Sequence, residues 1–173
     1  MKLYRSRIPT IAHAIIDELT RDDLIEVSLE NRAEAELDLV AIMEEYLRRD
    51  TELRESVREH MADHGVPYDE YSRTRNKLAE SMGHPTGDDV QRFLARQVTE
   101  NFMISHWVEE VFGEDKDIYK RVASILEAHD VDERALRDEA TDKIRNIPEG
   151  TVDYEIALSK ALRDVKKRHG LIT

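Results

Sequence analysis

The amino-acid sequence predicts an all-α protein of about eight helices and no β-sheet. One observation behind this is that all six glycines and all four prolines lie at or beside the joints between amphipathic runs. Inside a helix, a glycine would cost roughly 1 kcal/mol and a proline about 3 kcal/mol. A second observation is that apolar residues within each run recur with helical spacing, while no segment shows the sustained alternation typical of a strand. Charged residues, 37% of the chain, are also rich in glutamate and arginine, which are good helix formers.

Four helices are predicted before the centre of the chain. The first has its apolar stripe at Ile8, Ile11, Ala12, Ile15, Ile16 and Leu19. The second has its stripe at Leu39, Val40, Ile42, Met43, Tyr46 and Leu47. The third begins at about Asp50 and presents Leu53, Val57 and Met61. The fourth follows Pro67, a residue favoured at the first helical position, and presents Tyr71, Leu78 and Met82.

Four further helices are predicted in the second half. The stripe of the fifth contains Val90, Phe93, Leu94 and Val98. The stripe of the sixth contains Ile118, Val122, Ile125 and Leu126. The seventh starts after Asp132, whose carboxylate can accept hydrogen bonds from the free N–H groups of the first turn. The eighth starts near Thr151 and presents Tyr154, Leu158, Ala161, Leu162 and Val165.

We interpret the chain as two similar helical units, residues 1–83 and 89–173, joined by a hinge at residues 84–88. Sliding the sequence on itself at a constant offset of 83 keeps apolar residues in phase over some 65 positions, and it aligns Glu26 with Glu109. Spacing kept without gaps over this length favours an internal duplication.

Composition limits the classes of partner and chemistry. The formal net charge of −12 is spread over both halves, which disfavours nucleic acid and anionic membrane surfaces as partners. The absence of cysteine excludes disulfides, thiol catalysis and cysteine-ligated zinc. No apolar run of about 18 residues is present, so no membrane span is predicted. We expect a cytoplasmic protein.

Several stretches carry a family resemblance. They are Arg7–Leu19, Asp23–Glu26, Glu45–Leu47 and Pro148–Thr151, the last followed by Tyr154. In these stretches the chain resembles an uncharacterised bacterial family, the domain of unknown function number 507, and it is similar to the double-length members. The family more usually has tryptophan at the position of Tyr154. The resemblance implies an all-helical fold and carries no assigned reaction, ligand or catalytic residue.

His60 and His64 are the weak metal candidates of the sequence. They lie four residues apart, so that one helix face could present both imidazoles to a metal. The glutamate of a His-Glu-x-x-His zinc motif is missing, and no Glu-x-x-His pair occurs in the chain. Two exposed histidines favoured by the dipole near a helix C-terminus are the simpler interpretation. No catalytic set, cofactor loop or cofactor is predicted.

Aromatic residues concentrate in one stretch that contains Phe93, Phe102, Trp107 and Phe112. The simpler interpretation is that they belong to the core. The alternative is a partner surface at Trp107 and Phe112, because aromatic residues are enriched in interface hot spots. Either the fifth helix continues through this stretch and is buried on several sides, or it breaks near Ile104–His106. The offset of 83 favours the break, although no glycine or proline stands there.

The only basic cluster lies at the C-terminal end and contains Lys166, Lys167 and Arg168. Cations are expected in the last turn of a helix, where they complement its dipole. As a patch facing RNA or the ribosome, the cluster would need help from Lys2, Arg5 and Arg7.

The sequence therefore favours a non-enzymatic protein-interaction or scaffolding module that acts through helical surfaces. It leaves open whether the chain has any catalytic activity. The expected partner is an unknown protein or a second copy of the chain. Two alternatives are a helical metal-binding protein or metalloenzyme, and a ribosome- or RNA-associated factor that docks through its basic ends.

Overall fold

The computed structural model describes all 173 residues and is mostly helical, as predicted. Its seven helices are α1 (Ile8–Arg21), α2 (Arg32–His64), α3 (Tyr71–Ser81), α4 (Asp89–Phe102), α5 (Asp115–Ala128), α6 (Glu133–Lys143) and α7 (Val152–Arg168). Two short strands, β1 (Ile25–Glu26) and β2 (Glu110–Val111), complete the secondary structure together with single 3₁₀ turns at Arg5–Arg7 and Tyr68–Glu70. None of the helices combines the length and the apolar character that crossing a membrane requires.

The prediction of eight helices is wrong because the predicted second and third helices form one helix of 33 residues, α2. No glycine or proline interrupts it. A new helix was expected to begin at Asp50, but this residue lies buried in the middle of α2. Its carboxylate accepts hydrogen bonds from the side chains of Arg54 and Arg75 instead of from the N–H groups of a first helical turn. The helix ends at Gly65, whose φ of 62° is left-handed and is adopted by glycine without strain.

The prediction that no sheet exists is also wrong. The two strands pair antiparallel, with Ile25 opposite Val111 and Glu26 opposite Glu110. Strands of two residues are too short for a period-two alternation to be read from the sequence. The sheet ties the connection between α1 and α2 to the connection between α4 and α5.

The two halves do not match helix for helix, which corrects the prediction of two similar units. The first half contains three helices and the second contains four. At the offset of 83, the single helix α2 corresponds to α5 and α6, which are separated at residues 129–132. The break predicted near Ile104–His106 is confirmed, since α4 ends at Phe102.

Both predicted helix starts in the second half are confirmed. The carboxylate of Asp132 accepts hydrogen bonds from the backbone N–H groups of Arg134 and Ala135, both at 3.0 Å. The hydroxyl of Thr151 accepts from the N–H of Tyr154 at 3.1 Å. These bonds satisfy donors that the first turn of a helix leaves without partners.

Three apolar clusters of unequal size hold the helices together. The main core of 21 buried residues takes side chains from α1, the first half of α2, α4 and α5. A second cluster of eight lies between α6 and α7 and includes Tyr4 and Leu171 from near the two chain ends. The third contains only Leu53, Val57 and Ala79, where the second half of α2 packs on α3.

Amide hydrogens of α3 and of the second half of α2 are expected to exchange faster than those of α1 and α4. The reason is that three buried residues hold the α2–α3 end, whereas 21 hold the main core, and local opening is easiest where few apolar contacts are lost. Hydrogen exchange followed by mass spectrometry checks this. Equal protection along the whole of α2 and in α3 would contradict it.

Candidate functional site

Large exposed apolar side chains concentrate at the end of the molecule that carries the sheet. Six of the ten lie in the segments that flank β1 and β2 or near the start of α2. We call this the sheet-end surface, and its residues are Leu29, Leu37, Met103, Ile104, Trp107 and Phe112. Leu29 is 90% exposed and Ile104 is 77% exposed. Single exposed apolar residues are common on monomers, but a concentration of them indicates an interaction site.

The loop between α4 and β2 is held in place by hydrogen bonds through Ser105. The Ser105 hydroxyl donates to a carboxylate oxygen of Asp38 on α2 at 2.6 Å. The same hydroxyl accepts from the backbone N–H of Trp107 at 3.2 Å, and the Ser105 N–H donates to the carbonyl of Asn101 at 2.9 Å. The apolar side chains of this loop are therefore displayed on a backbone that is already ordered.

The segment after β2 is fixed equally closely. The N–H groups of Phe112 and Gly113 donate to the carbonyl of Leu24 at 2.9 and 3.0 Å. A Cβ atom at position 113 would lie 2.8 Å from Cδ2 of Leu24, so only glycine fits there without displacing a side chain. The Phe112 side chain, directly after β2, is 55% exposed. Its backbone is held in place by these contacts.

The aromatic stretch divides between the core and the surface. Phe102 is buried in the main core, and Phe93 packs against it. Trp107 is 37% exposed and Phe112 is 55% exposed, so both residues proposed as a partner surface are accessible. The other four members of the sheet-end surface were not predicted, because exposed apolar residues near a sheet cannot be recognised from the sequence when the sheet itself is not predicted.

A groove of about 360 Å³ runs between α2 and α4 beside this surface. Its lining has four apolar residues, Ala41, Ile42, Tyr46 and Phe93, and five polar ones, Asp38, Glu45, Arg49, Gln97 and Asn101. Asp38 and Asn101 also hold Ser105, so the groove lies next to the α4–β2 loop. Apolar residues mixed with polar ones are typical of sites that bind a partner's side chains.

His60 and His64 do come together near the end of α2. Their rings are stacked with centroids 4.2 Å apart, and Nδ1 of His64 lies 2.9 Å from the carbonyl oxygen of His60. No group of three or more histidine, aspartate, glutamate or cysteine side chains is arranged to hold a metal ion. The pair by itself offers two ligands, fewer than the usual three or four.

The predicted basic cluster is engaged in ion pairs within the chain. Lys166 lies 3.3 Å from Glu133, and Arg168 pairs with Glu139, which leaves Lys167 of the three without an ion pair. At the other end of the chain, Lys2 also pairs with Glu133 and Arg5 pairs with Glu44, 3.2 Å away. Much of the positive charge expected to face RNA is therefore offset by neighbouring carboxylates.

A buried carboxylate in the middle of α2 organises a cluster that the sequence analysis missed. Asp50 is 5% exposed and pairs with Arg54 on the same helix and with Arg75 on α3, the latter at 2.9 Å. Nε2 of His84, in the connection between α3 and α4, lies 3.5 Å from the same carboxylate. Asp50 therefore links α2, α3 and the α3–α4 connection.

His84 and Tyr46 stack beside this carboxylate with ring centroids 4.9 Å apart. The Tyr46 hydroxyl donates to the carbonyl of Pro85 at 3.3 Å, and burial raises its pKa to about 12. The His84 side chain is 1% exposed and neither ring nitrogen has a hydrogen-bond partner. Burial lowers the pKa of His84 below its usual 6.5 because the charged imidazolium would lose its hydration, although Asp50 opposes the shift.

Lowering the pH from about 7.5 to about 5.5 is expected to reduce the free energy of unfolding through His84. Because the folded pKa lies below that of the unfolded chain, the neutral ring contributes stability above pH 6.5, and this stability is lost as the pH falls through the folded value. The charged neighbours act in opposite directions: Asp50 raises the pKa, whereas Arg49 and Arg75 lower it.

Urea unfolding of the wild type and of His84→Phe across this pH range checks the prediction. Phenylalanine keeps the stack on Tyr46 but cannot be protonated, so the variant should lose stability less steeply as the pH falls. Equal slopes for the two proteins would show that His84 does not contribute.

The comparisons with known proteins add a family but no activity. A comparison with curated proteins finds no match. The model of one family, described as "Protein of unknown function (DUF507)", matches residues 1–171 of the chain. This match extends over both halves of the chain and over every helix described above. The chain therefore belongs to the DUF507 family.

Proposed function

We propose that the protein is a non-enzymatic protein-interaction module whose partner binds at the sheet-end surface. The observation that carries this proposal is the concentration of six of the ten large exposed apolar side chains at that one end. Burying an apolar side chain of this size in an interface is favourable by roughly 1.5–3 kcal/mol. A partner that covers several of them would gain most of its binding energy there.

Three features of the surface support the proposal. Trp107 is the residue type most enriched in hot spots, and its backbone is held through Ser105. An ordered loop loses little conformational entropy when it binds. The adjoining α2–α4 groove adds four apolar lining residues, beside which side chains of the partner could be accommodated.

The partner in this proposal is a protein, either another chain or a second copy of this one. We also retain, as parts of the same proposal, a cytoplasmic location and a bacterial origin. The sequence favoured docking through helical surfaces, whereas the proposed surface lies mostly in the connections around the sheet, with Leu37 and the α2–α4 groove as its helical part.

The two alternatives draw less support from the geometry. A metal-binding function would rest on His60 and His64 with no third ligand gathered around them. RNA or ribosome binding would rest on basic ends whose charges are largely paired within the chain. Elemental analysis of the purified protein and salt-dependent cosedimentation with ribosomes test these alternatives directly.

Size-exclusion chromatography with light scattering, combined with affinity purification from the native host, tests the proposed function. We expect either a defined homo-oligomer or a reproducible protein partner. Replacing Ile104, which is 77% exposed, by aspartate should weaken either assembly without unfolding the protein. A strict monomer without a reproducible partner would overturn the proposal.

A further inference from the structure

A small cavity lies where the N-terminal segment meets α2, α3 and the α3–α4 connection. None of the residues that line it belongs to the sheet-end surface. Its volume is about 170 Å³. Its lining residues include the basic Lys2, Arg54 and Arg75, the acidic Asp50, and apolar residues such as Leu3 and Leu47. The lining therefore combines basic and apolar residues.

The two arginines of the cavity share a single carboxylate. Arg54 and Arg75 each use one terminal nitrogen on Asp50, one oxygen each. Neither guanidinium makes another ion pair. Since a guanidinium carries five N–H donors, both retain donors for a further acceptor. The two guanidinium groups therefore have one directly paired carboxylate between them.

Lys2 also lines the cavity, but its ammonium group is bound by Glu133. Lys2 and Lys166 share the carboxylate of Glu133, at 3.5 and 3.3 Å, and Glu133 also accepts a hydrogen bond from Tyr4. Burial and the neighbouring Lys166 both lower the pKa of Lys2, although Glu133 opposes them. The chain as a whole has a net charge of −12, but basic residues outnumber acidic ones in the lining of this cavity. A bound anion would balance this local excess of positive charge.

The composition of the cavity indicates what kind of anion fits. Two guanidinium groups that share one carboxylate favour an anion such as a phosphate group, which carries a charge of about −1.5 to −2 near neutral pH. Guanidinium groups bind phosphate oxygens with paired N–H donors, and arginine is the preferred residue for this geometry. The apolar wall at Leu3 and Leu47 can contact a short carbon skeleton attached to the phosphate.

We propose that this cavity binds the phosphate group of a small soluble ligand, with Arg54 and Arg75 as its principal donors and Lys2 as a third contact. The proposal does not rest on the proposed protein-interaction function. It assigns the site a binding role and no reaction.

Isothermal titration calorimetry on the full chain tests the proposal, with inorganic phosphate and glycerol 3-phosphate as probes and chloride at matched ionic strength as the reference. We expect both probes to bind, and Arg54→Gln and Arg75→Gln each to weaken binding at least about tenfold. The matched controls are Arg58→Gln on α2 and Arg73→Gln on α3, both exposed and outside the cavity. These two should bind like the wild type.

Other outcomes would overturn the proposal. One is that neither probe binds to the wild type. The other is that the control variants lose as much binding as Arg54→Gln and Arg75→Gln. Binding only to phosphatidylcholine vesicles that contain phosphatidic acid would assign the phosphate to a lipid headgroup and overturn the soluble ligand. Circular dichroism and thermal unfolding establish that each variant folds. If Arg75→Gln does not fold, Arg54→Gln and Lys2→Gln carry the test, since both side chains are about half exposed.

Discussion

Replacing Leu94 by alanine is expected to lower the free energy of unfolding by about 3–5 kcal/mol. Leu94 is completely buried on α4, in the main core that also contains α1, α2 and α5. The surrounding helices can relax only partly into the space that a leucine leaves, so a cavity term adds to the lost burial. A typical domain has only about 5–15 kcal/mol in total. Urea unfolding followed by circular dichroism measures the change.

The matched control is Leu37→Ala on α2, whose side chain is 55% exposed and should change the stability by less than about 0.5 kcal/mol. Because the main core draws on both halves of the chain, Leu94→Ala should destabilise both halves together. A variant in which only the second half unfolded at lower urea would contradict a shared core.

Replacing Asp50 by asparagine is expected to cost about 2–3 kcal/mol of unfolding free energy. Breaking a buried ion pair by removing one partner typically costs about 3–5 kcal/mol. We expect less here because Arg54 is half exposed and can return to water, whereas Arg75 is more buried. Asparagine keeps the size of the side chain, so the loss reports the charge and its hydrogen bonds.

Glu59→Gln is the matched control for Asp50→Asn. It removes one negative charge from an exposed position of the same helix and should be nearly neutral. Thermal and urea unfolding at neutral pH compare the two variants. An Asp50 variant no less stable than the Glu59 variant would mean that the buried cluster does not join α2, α3 and the α3–α4 connection.

Most of the helices could be predicted from the sequence because the formation of a helix depends on residues that are neighbours in the chain. The apolar stripe of α1 and the caps at Asp132 and Thr151 follow from spacing or from side chains a few residues away. The end of α4 before Ile104 has no such local signal and was predicted only from the comparison of the two halves. Features that depend on distant partners were missed. The two-residue strands exist only because Ile25 meets Val111 from the other half of the chain.

Asp50 illustrates why the candidate sites were only partly predictable. An aspartate between two amphipathic runs is typical of a helix start, and nothing local indicates that Arg75 and His84 will surround it. Those partners stand 25 and 34 residues further along the chain. A surface at Trp107 and Phe112 was the alternative to a core position and was suggested by their residue type, whereas Leu29 and Leu37 become informative only through their exposure.

Quantitative affinity purification from the native host, with the wild type and two variants side by side, tests the central claim most directly. The first variant is Trp107→Ala combined with Ile104→Asp, which alters the sheet-end surface. The second is Ile156→Asp, which alters an equally apolar residue of α7 that is 64% exposed and lies outside that surface. We predict that the same protein is recovered with the wild type and with the α7 variant, and that the sheet-end variant loses at least about nine-tenths of it. Equal recovery with all three proteins would contradict the account.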